Sequence, residues 1–291
     1  MLLNSSVALN DCQTGFTFVM CLMCTTGLEV FAAFTVTNTI VILPLSVLII
    51  YIGLQQWRQQ RTNARVAATS PSDHFTFHIV GIETISLIGD ISYCIGNYSN
   101  NTQLVLGGFF LLCIVIPGQD LFHCLTCMER YLAVLHPITY LHLKRTSGVW
   151  ITNICIACVW FMCGVWVLIA HMQMPFYPLI PFSVWFGLSL FFSFFCSLSV
   201  LRTLTRPGPG DGDRNRVDRS KRRAFHTITA ITATLLIRCV GFLMCFFSFG
   251  YFSYNDIRAC MAIKLVFWFC LPSSLVLPLL FLQRTRQPAR H

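Results

Sequence analysis

Seven apolar stretches recur along this chain, at approximately Glu29–Gly53, His74–Gly96, Leu104–Tyr131, Val149–His171, Ile180–Leu204, Ala224–Phe252 and Ala259–Leu282. Each is long enough to cross a bilayer, which takes roughly 20 residues of helix. Lipid offers no partner to an unpaired N–H or C=O, and the period-two alternation of a barrel is absent, so each stretch reads as a helix. Composition agrees. Of 291 residues, 55% are hydrophobic, 11% are charged and 26 are Phe, whereas a soluble domain carries about 25% charged residues. A mean hydropathy of +0.67 is more than one aqueous core could use. The chain reads as an all-α membrane protein, a bundle of seven transmembrane helices.

The expected organisation is a partly apolar extracellular segment over 1–28, a seven-helix domain over 29–282 and a short basic tail over 283–291. Within the domain, 205–223 reads as the third cytoplasmic loop, punctuated by Pro and Gly in "RPGPGDGD". The stretch "TGFTFVMCLMCTTGLEVFAAF" leaves the first boundary open. An uncleaved start, a re-entrant piece and an unusual leader all fit it, though the basic n-region of a signal peptide is missing.

Lysines and arginines set the orientation. With Met1 outside, the inner side receives Arg58, Arg61 and Arg65, then Lys144 and Arg145. It also receives Arg206, Arg214, Arg216, Arg219, Lys221, Arg222 and Arg223, and the tail residues Arg284, Arg286 and Arg290. Outside the spans, the outer side keeps only Arg258. That asymmetry follows the positive-inside rule. The net charge of +9 therefore reports topology and attraction to anionic lipids on the cytoplasmic side, not nucleic acid. The N-glycosylation sequons at Asn4, Asn97 and Asn100 all fall outside under this orientation.

One stretch carries a more specific signal. "DLFHCLTCMERYLAVLHPITYLHLKRTSG" begins inside the third apolar run and ends in a basic loop, with Glu129 and Arg130 side by side where the apolar run stops. Seven helices, an outer amino end and Glu129-Arg130-Tyr131 followed by His136-Pro137 together resemble the rhodopsin-like G-protein-coupled receptors, over nearly the whole chain. Trp160 stands where that family has its fourth-helix Trp. "SSLVLPLLF" resembles its seventh-helix motif, with Leu277 for Asn, Pro278 kept and Phe281 for Tyr. Other positions depart from the pattern. Glu83 replaces the second-helix Asp, Ser46 stands for the first-helix Asn, and Val105 lies where an outer Cys is usual. Leu235, Arg238, Cys239 and Gly241 occupy the sixth-helix signature.

The resemblance implies a cytoplasmic switch at Glu129, Arg130 and Tyr131, a heterotrimeric G protein as partner, and a ligand of unknown, small type. It implies structural roles for Pro137, Trp160, Pro278 and Phe281. It also implies a sodium ion near Glu83 and Ser46, against the alternative of a polar core residue bonded to water or holding a proton. No other cofactor and no metal site is expected.

Physics alone singles out the same region. Asp120, His123, Cys127 and Arg130 are spaced three, four and three residues apart, so they share one helical face. Charges in a bilayer turn to the bundle interior and pair. Arg130 is then either a boundary residue paired with Glu129 or a latch released toward a partner. Arg238, inside an apolar run, demands an acid, and Asp120 is the candidate for a core ion pair. Glu83 and Asp90 lie seven apart on one face of the second helix. Asp90 is a candidate for a ligand cavity, as is Lys264, which either attracts an anionic or carbonyl-bearing ligand or snorkels to the surface. Most of the 15 Cys lie in or beside apolar spans and act as small hydrophobes. Cys12 and Cys260 form the candidate outer disulfide.

Three functions follow from these residues. The first is a receptor that converts ligand binding into G-protein activation. The second is a seven-helix structural or regulatory protein impaired in signalling. The third is a transporter of small solutes or protons, against which the halves show no paired repeats. Catalysis is not expected, since no nucleophile and base stand together.

Overall fold

The computed structural model describes residues 27–62, 71–146, 148–173, 179–205, 214–251 and 257–286. Its elements are α1 (Leu28–Thr62), α2 (Pro71–Tyr98), α3 (Thr102–Leu135), α4 (Pro137–Thr146), α5 (Gly148–Gln173), α6 (Leu179–Thr205), α7 (Arg214–Tyr251) and α8 (Ile257–Arg286). Seven of them are long and apolar enough to cross a membrane, and the short α4 is the exception. The chain is an all-α, multi-pass membrane bundle. α3 runs through its centre and packs against α2, α5, α6, α7 and α8, while α1 closes the ring between α2 and α8.

The outer surface shows what solvent this bundle expects. On α1, Val36, Ile40, Leu43, Val47, Tyr51 and Leu54 are exposed at steps of three or four residues, a stripe that faces lipid rather than water. Phe161 and Phe191 are exposed on α5 and α6 in the same way. Several hydroxyls in the spans are satisfied along their own helix. Thr35 donates to Phe31 O at 3.0 Å and Thr126 to Phe122 O at 2.8 Å, which removes the cost of an unpaired donor in hydrocarbon.

One apolar core runs between α2, α3, α5, α6, α7 and α8, with Ile82, Phe122, Val159, Val200, Ile231 and Leu277 among its members. The α2–α3 pair approaches closely where Gly89 and Gly108 meet. A Cβ on Gly108 would lie 2.7 Å from Gly89 O and 2.7 Å from Tyr93 N. Only a residue without a side chain lets the two backbones touch there. The link between these helices is short. Asn100 takes φ 53°, and Asn101 caps α3, its side chain accepting from the amides of Gln103 and Leu104.

Helical structure continues past limits drawn from hydropathy. α7 starts at Arg214, so the basic half of the expected 205–223 loop is helical and continues the span. α8 runs to Arg286, past the expected start of the tail at 283. The residues after Leu135 form a separate helix, α4, because Pro137 stands at its first position, where a missing N–H costs nothing. Cys260 is disulfide-bonded, and the other eleven cysteines among the described residues are free. Asn4 and Cys12 lie outside the described residues.

Candidate functional site

The centre of the bundle holds charge. Arg238 of α7 and Asp120 of α3 are both 0% exposed, and Arg238 Nη1 lies 3.1 Å from Asp120 Oδ1. The same nitrogen donates to Gln119 Oε1 at 2.8 Å and to Ser273 Oγ at 3.3 Å. Arg238 Nη2 reaches Ile116 O at 3.5 Å, and the guanidinium sits 5.4 Å from the Phe186 ring centre. Arg238 Nε makes no hydrogen bond, and neither does Asp120 Oδ2.

The network extends to α2 and α8 through Gln119. Its amide nitrogen donates to Glu83 Oε1 and to Ser274 Oγ, the latter at 2.9 Å. Ser273 Oγ donates to Gln119 Oε1 at 2.9 Å, and His123 Nε2 pairs with Ser273 O at 3.1 Å. Four helices are therefore joined by buried polar contacts around one guanidinium. A buried ion pair is no sure source of stability, but removing one of its partners leaves an uncompensated charge in the core.

These contacts decide whether a sodium ion fits at Glu83. A sodium site needs a shell of oxygens, yet Glu83 faces an N–H donor from Gln119, with a guanidinium held one residue further on. Leu277 offers no oxygen from its side chain, and Ser46, although buried, is not joined to Glu83. The residues do not fit a sodium ion. The protein's own cation occupies the polar centre instead.

Asp90 and Lys264 part company. Asp90 is held by α1, where Asn38 Nδ2 donates to its Oδ2 at 3.0 Å. Asp90 stands behind the cavity wall, whereas Asn38 and Lys264 line the cavity itself. Lys264 is 2% exposed, so it does not snorkel to the surface. The cavity is partly open to the outside, and its floor is formed by Gln119, Arg238 and Ser274. Aromatic residues from α1, α3, α7 and α8 form the walls, Phe31, Phe34, Phe109, Phe242 and Phe267 among them.

At the other end of α3, Glu129 is buried and Arg130 and Tyr131 are half-buried. Glu129 Oε1 accepts from the hydroxyl of Tyr140 on α4 at 3.0 Å. Tyr131 packs near His136 and Phe195, with ring centres 6.2 and 6.0 Å away. Trp160 Nε1 donates to His78 Nδ1 at 3.3 Å, tying α5 to α2. Phe281 is buried against Ile49 and Val80 and meets Phe77 edge-on at 5.6 Å. Pro137 opens α4, and Pro278 lies inside α8. Asn97 is turned inward, its amide donating to Tyr93 O at 3.0 Å, while Asn100 is exposed.

Sequence reasoning missed Asn38, Gln119, Ser273 and Ser274. Each is a small or neutral polar residue within an apolar span, a signal too common to stand out without knowing which faces meet.

Fold and centre together define a seven-span helical membrane protein whose core is organised by buried charges beneath an aromatic cavity. No protein-family model matches the chain, and no curated protein matches it.

Proposed function

We propose that this protein is a G-protein-coupled receptor of the rhodopsin-like type, in which a ligand in the aromatic cavity biases the helices and the inner face then promotes nucleotide exchange on a heterotrimeric G protein. The observation that carries the reading is that Gln119, Arg238 and Ser274 both line the cavity and tie α2, α3, α7 and α8 together. A ligand touching the floor therefore touches the contacts that set the relative positions of those helices. Such a ligand shifts the equilibrium only by its differential affinity for the two arrangements.

The output would lie at the other end of α3. Glu129-Arg130-Tyr131 matches the family motif, and Glu129 is already engaged by Tyr140 of α4. Opening would free Arg130 toward the transducer, a rearrangement of packed helices of modest amplitude. The charge asymmetry supports a plasma-membrane orientation with the amino end outside and the basic segments, including the start of α7, against anionic inner lipid. The protein supplies positioning and a two-state equilibrium, not covalent chemistry.

The test is basal G-protein activation in membranes, across the major Gα classes, for wild type and Arg130→Ala at matched surface amounts. Signal that disappears in the variant supports coupling through Arg130. Signal that survives it overturns the assigned role. A wild type silent both alone and with a cavity ligand favours the second reading, a bundle held in one arrangement by its core ion pair.

A further inference from the structure

We infer that the cavity takes a long-chain carboxylate, its head on the free edge of the Arg238 guanidinium and its chain among the phenylalanines. The inference rests on reading this cavity as the ligand site of a receptor, and goes beyond that reading by naming the chemical class of ligand.

The first ground is the sign of the charge. Among the described residues, the charged ones lining the cavity are Arg238 and Lys264, both cations, while Glu83, Asp90 and Asp120 lie outside its lining. Two of those acids are turned to other partners, Glu83 to Gln119 and Asp90 to Asn38. A cationic amphiphile would meet like charge there.

The second ground is an unfilled donor. Arg238 is 0% exposed, yet its Nε–H makes no hydrogen bond, its Nη2 reaches Ile116 O at a long 3.5 Å, and the thiol of Cys270 beside it is a weak acceptor. Asp120, Gln119 and Ser273 all crowd onto Nη1. Guanidinium presents its N–H groups as a fork, and the Nε and Nη2 edge is one that a carboxylate fills with two parallel bonds. A buried donor without an acceptor is costly. An acceptor delivered by a ligand removes that cost without displacing Asp120.

The third ground is the wall. Phenylalanines from four helices surround the cavity and give it the apolar lining that suits the chain of an amphiphile. A short carboxylate would satisfy Arg238 and leave the walls unfilled. A long chain does both.

The test uses the full chain in lipid nanodiscs and three photoreactive probes of one chain length, namely a diazirine-bearing fatty acid, its primary alcohol and its methyl ester. Labelled residues are located by mass spectrometry, and affinities come from competition with unlabelled compound. The acid should label cavity residues such as Phe242 and Ile263 and bind about tenfold or more tightly than the alcohol or ester, as charge-assisted bonds require. In the double variant Asp120→Asn/Arg238→Gln, which removes both charges of the pair, that preference should collapse while the alcohol still labels. Should that variant not fold, Phe242→Trp narrows the cavity and should weaken all three probes together. Equal binding of acid and alcohol overturns the inference in favour of a neutral lipid. Labelling confined to lipid-facing residues such as Phe161 and Phe191, or no labelling, overturns it as well. The readout needs no transducer. Acid binding without signalling defeats the receptor reading alone, and signalling without acid preference defeats this inference alone.

Discussion

Gln119 accepts a hydrogen bond from Arg238 at 2.8 Å and donates its amide to Glu83, so one neutral side chain stands between the α7 cation and the α2 acid. An amide suits this place because it presents an acceptor to one neighbour and a donor to the other. Gln119→Leu keeps the volume and removes both functions. It should lower stability in detergent by about 1–3 kcal/mol for each buried group left unsatisfied. Ser274→Ala, which deletes only a hydroxyl at the edge of the network, should cost less. Thermal denaturation of the purified variants compares the two, and an equal loss would deny Gln119 its bridging role.

The Asp120–Arg238 pair should behave as a unit. Asp120→Ala leaves a buried guanidinium with only neutral acceptors and no counter-charge in contact, at a cost of about 3–5 kcal/mol. Replacing both with apolar residues of similar size, Asp120→Leu/Arg238→Met, should recover most of that loss. A double-mutant cycle reads the coupling directly. Additive losses would mean that the two charges, although in contact, do not depend on one another.

The crossing of α2 and α3 depends on Gly108, and its neighbour supplies the control. A Cβ at Gly108 would strike the α2 backbone, whereas a Cβ at Gly107 meets nothing within 4 Å. Gly108→Ala should destabilise by about 1–3 kcal/mol through overpacking against an unyielding backbone. Gly107→Ala should be neutral or stabilise slightly, because alanine is the better helix former by about 1 kcal/mol. Matched loss in both variants would show that the close approach is not what glycine serves here.

Sodium should have no specific effect. With Glu83 engaged by the Gln119 amide and the guanidinium close by, exchanging sodium for potassium at constant ionic strength should leave the melting temperature unchanged. A rise specific to sodium, abolished by Glu83→Gln, would show that the centre reorganises to admit the ion.

At the other end of α3, Tyr140→Phe removes the hydroxyl that donates to Glu129. A hydrogen bond to a charged acceptor is worth about 1.5 kcal/mol or more. If that bond favours the closed arrangement, its loss should raise basal nucleotide exchange by about tenfold. Unchanged exchange at matched surface amount would place the Glu129–Tyr140 contact outside the switch.

The legible parts of this protein were those written in one dimension. Span number and fold class follow from hydropathy and length, and the pressure on Arg238 to find an acid follows from the cost of charge in lipid. Asp120 could be named as its candidate partner because a seven-helix bundle brings the third and sixth spans together. Gln119, adjacent in sequence, lies on the next position around the helix and drew no notice. Its importance comes from Glu83, Ser274 and Arg238, which are contributed by three other helices. Asp90 shows how contacts from another helix enter. Its helix position pointed toward a cavity, but Asn38 on α1 intercepts it.

By itself the sequence determined the solvent, the secondary structure and the charge asymmetry, because each is a local sum over residues near one another in the chain. Tertiary structure decided which donor meets which acceptor. It put the amide of Gln119 against Glu83, where the resemblance implied a sodium ion, placed Lys264 inside rather than at the surface, and turned Asn97 inward while leaving Asn100 exposed. The physical reason is that hydrogen bonds and ion pairs are satisfied over a few ångströms, and how seven helices rotate about their axes sets those few ångströms.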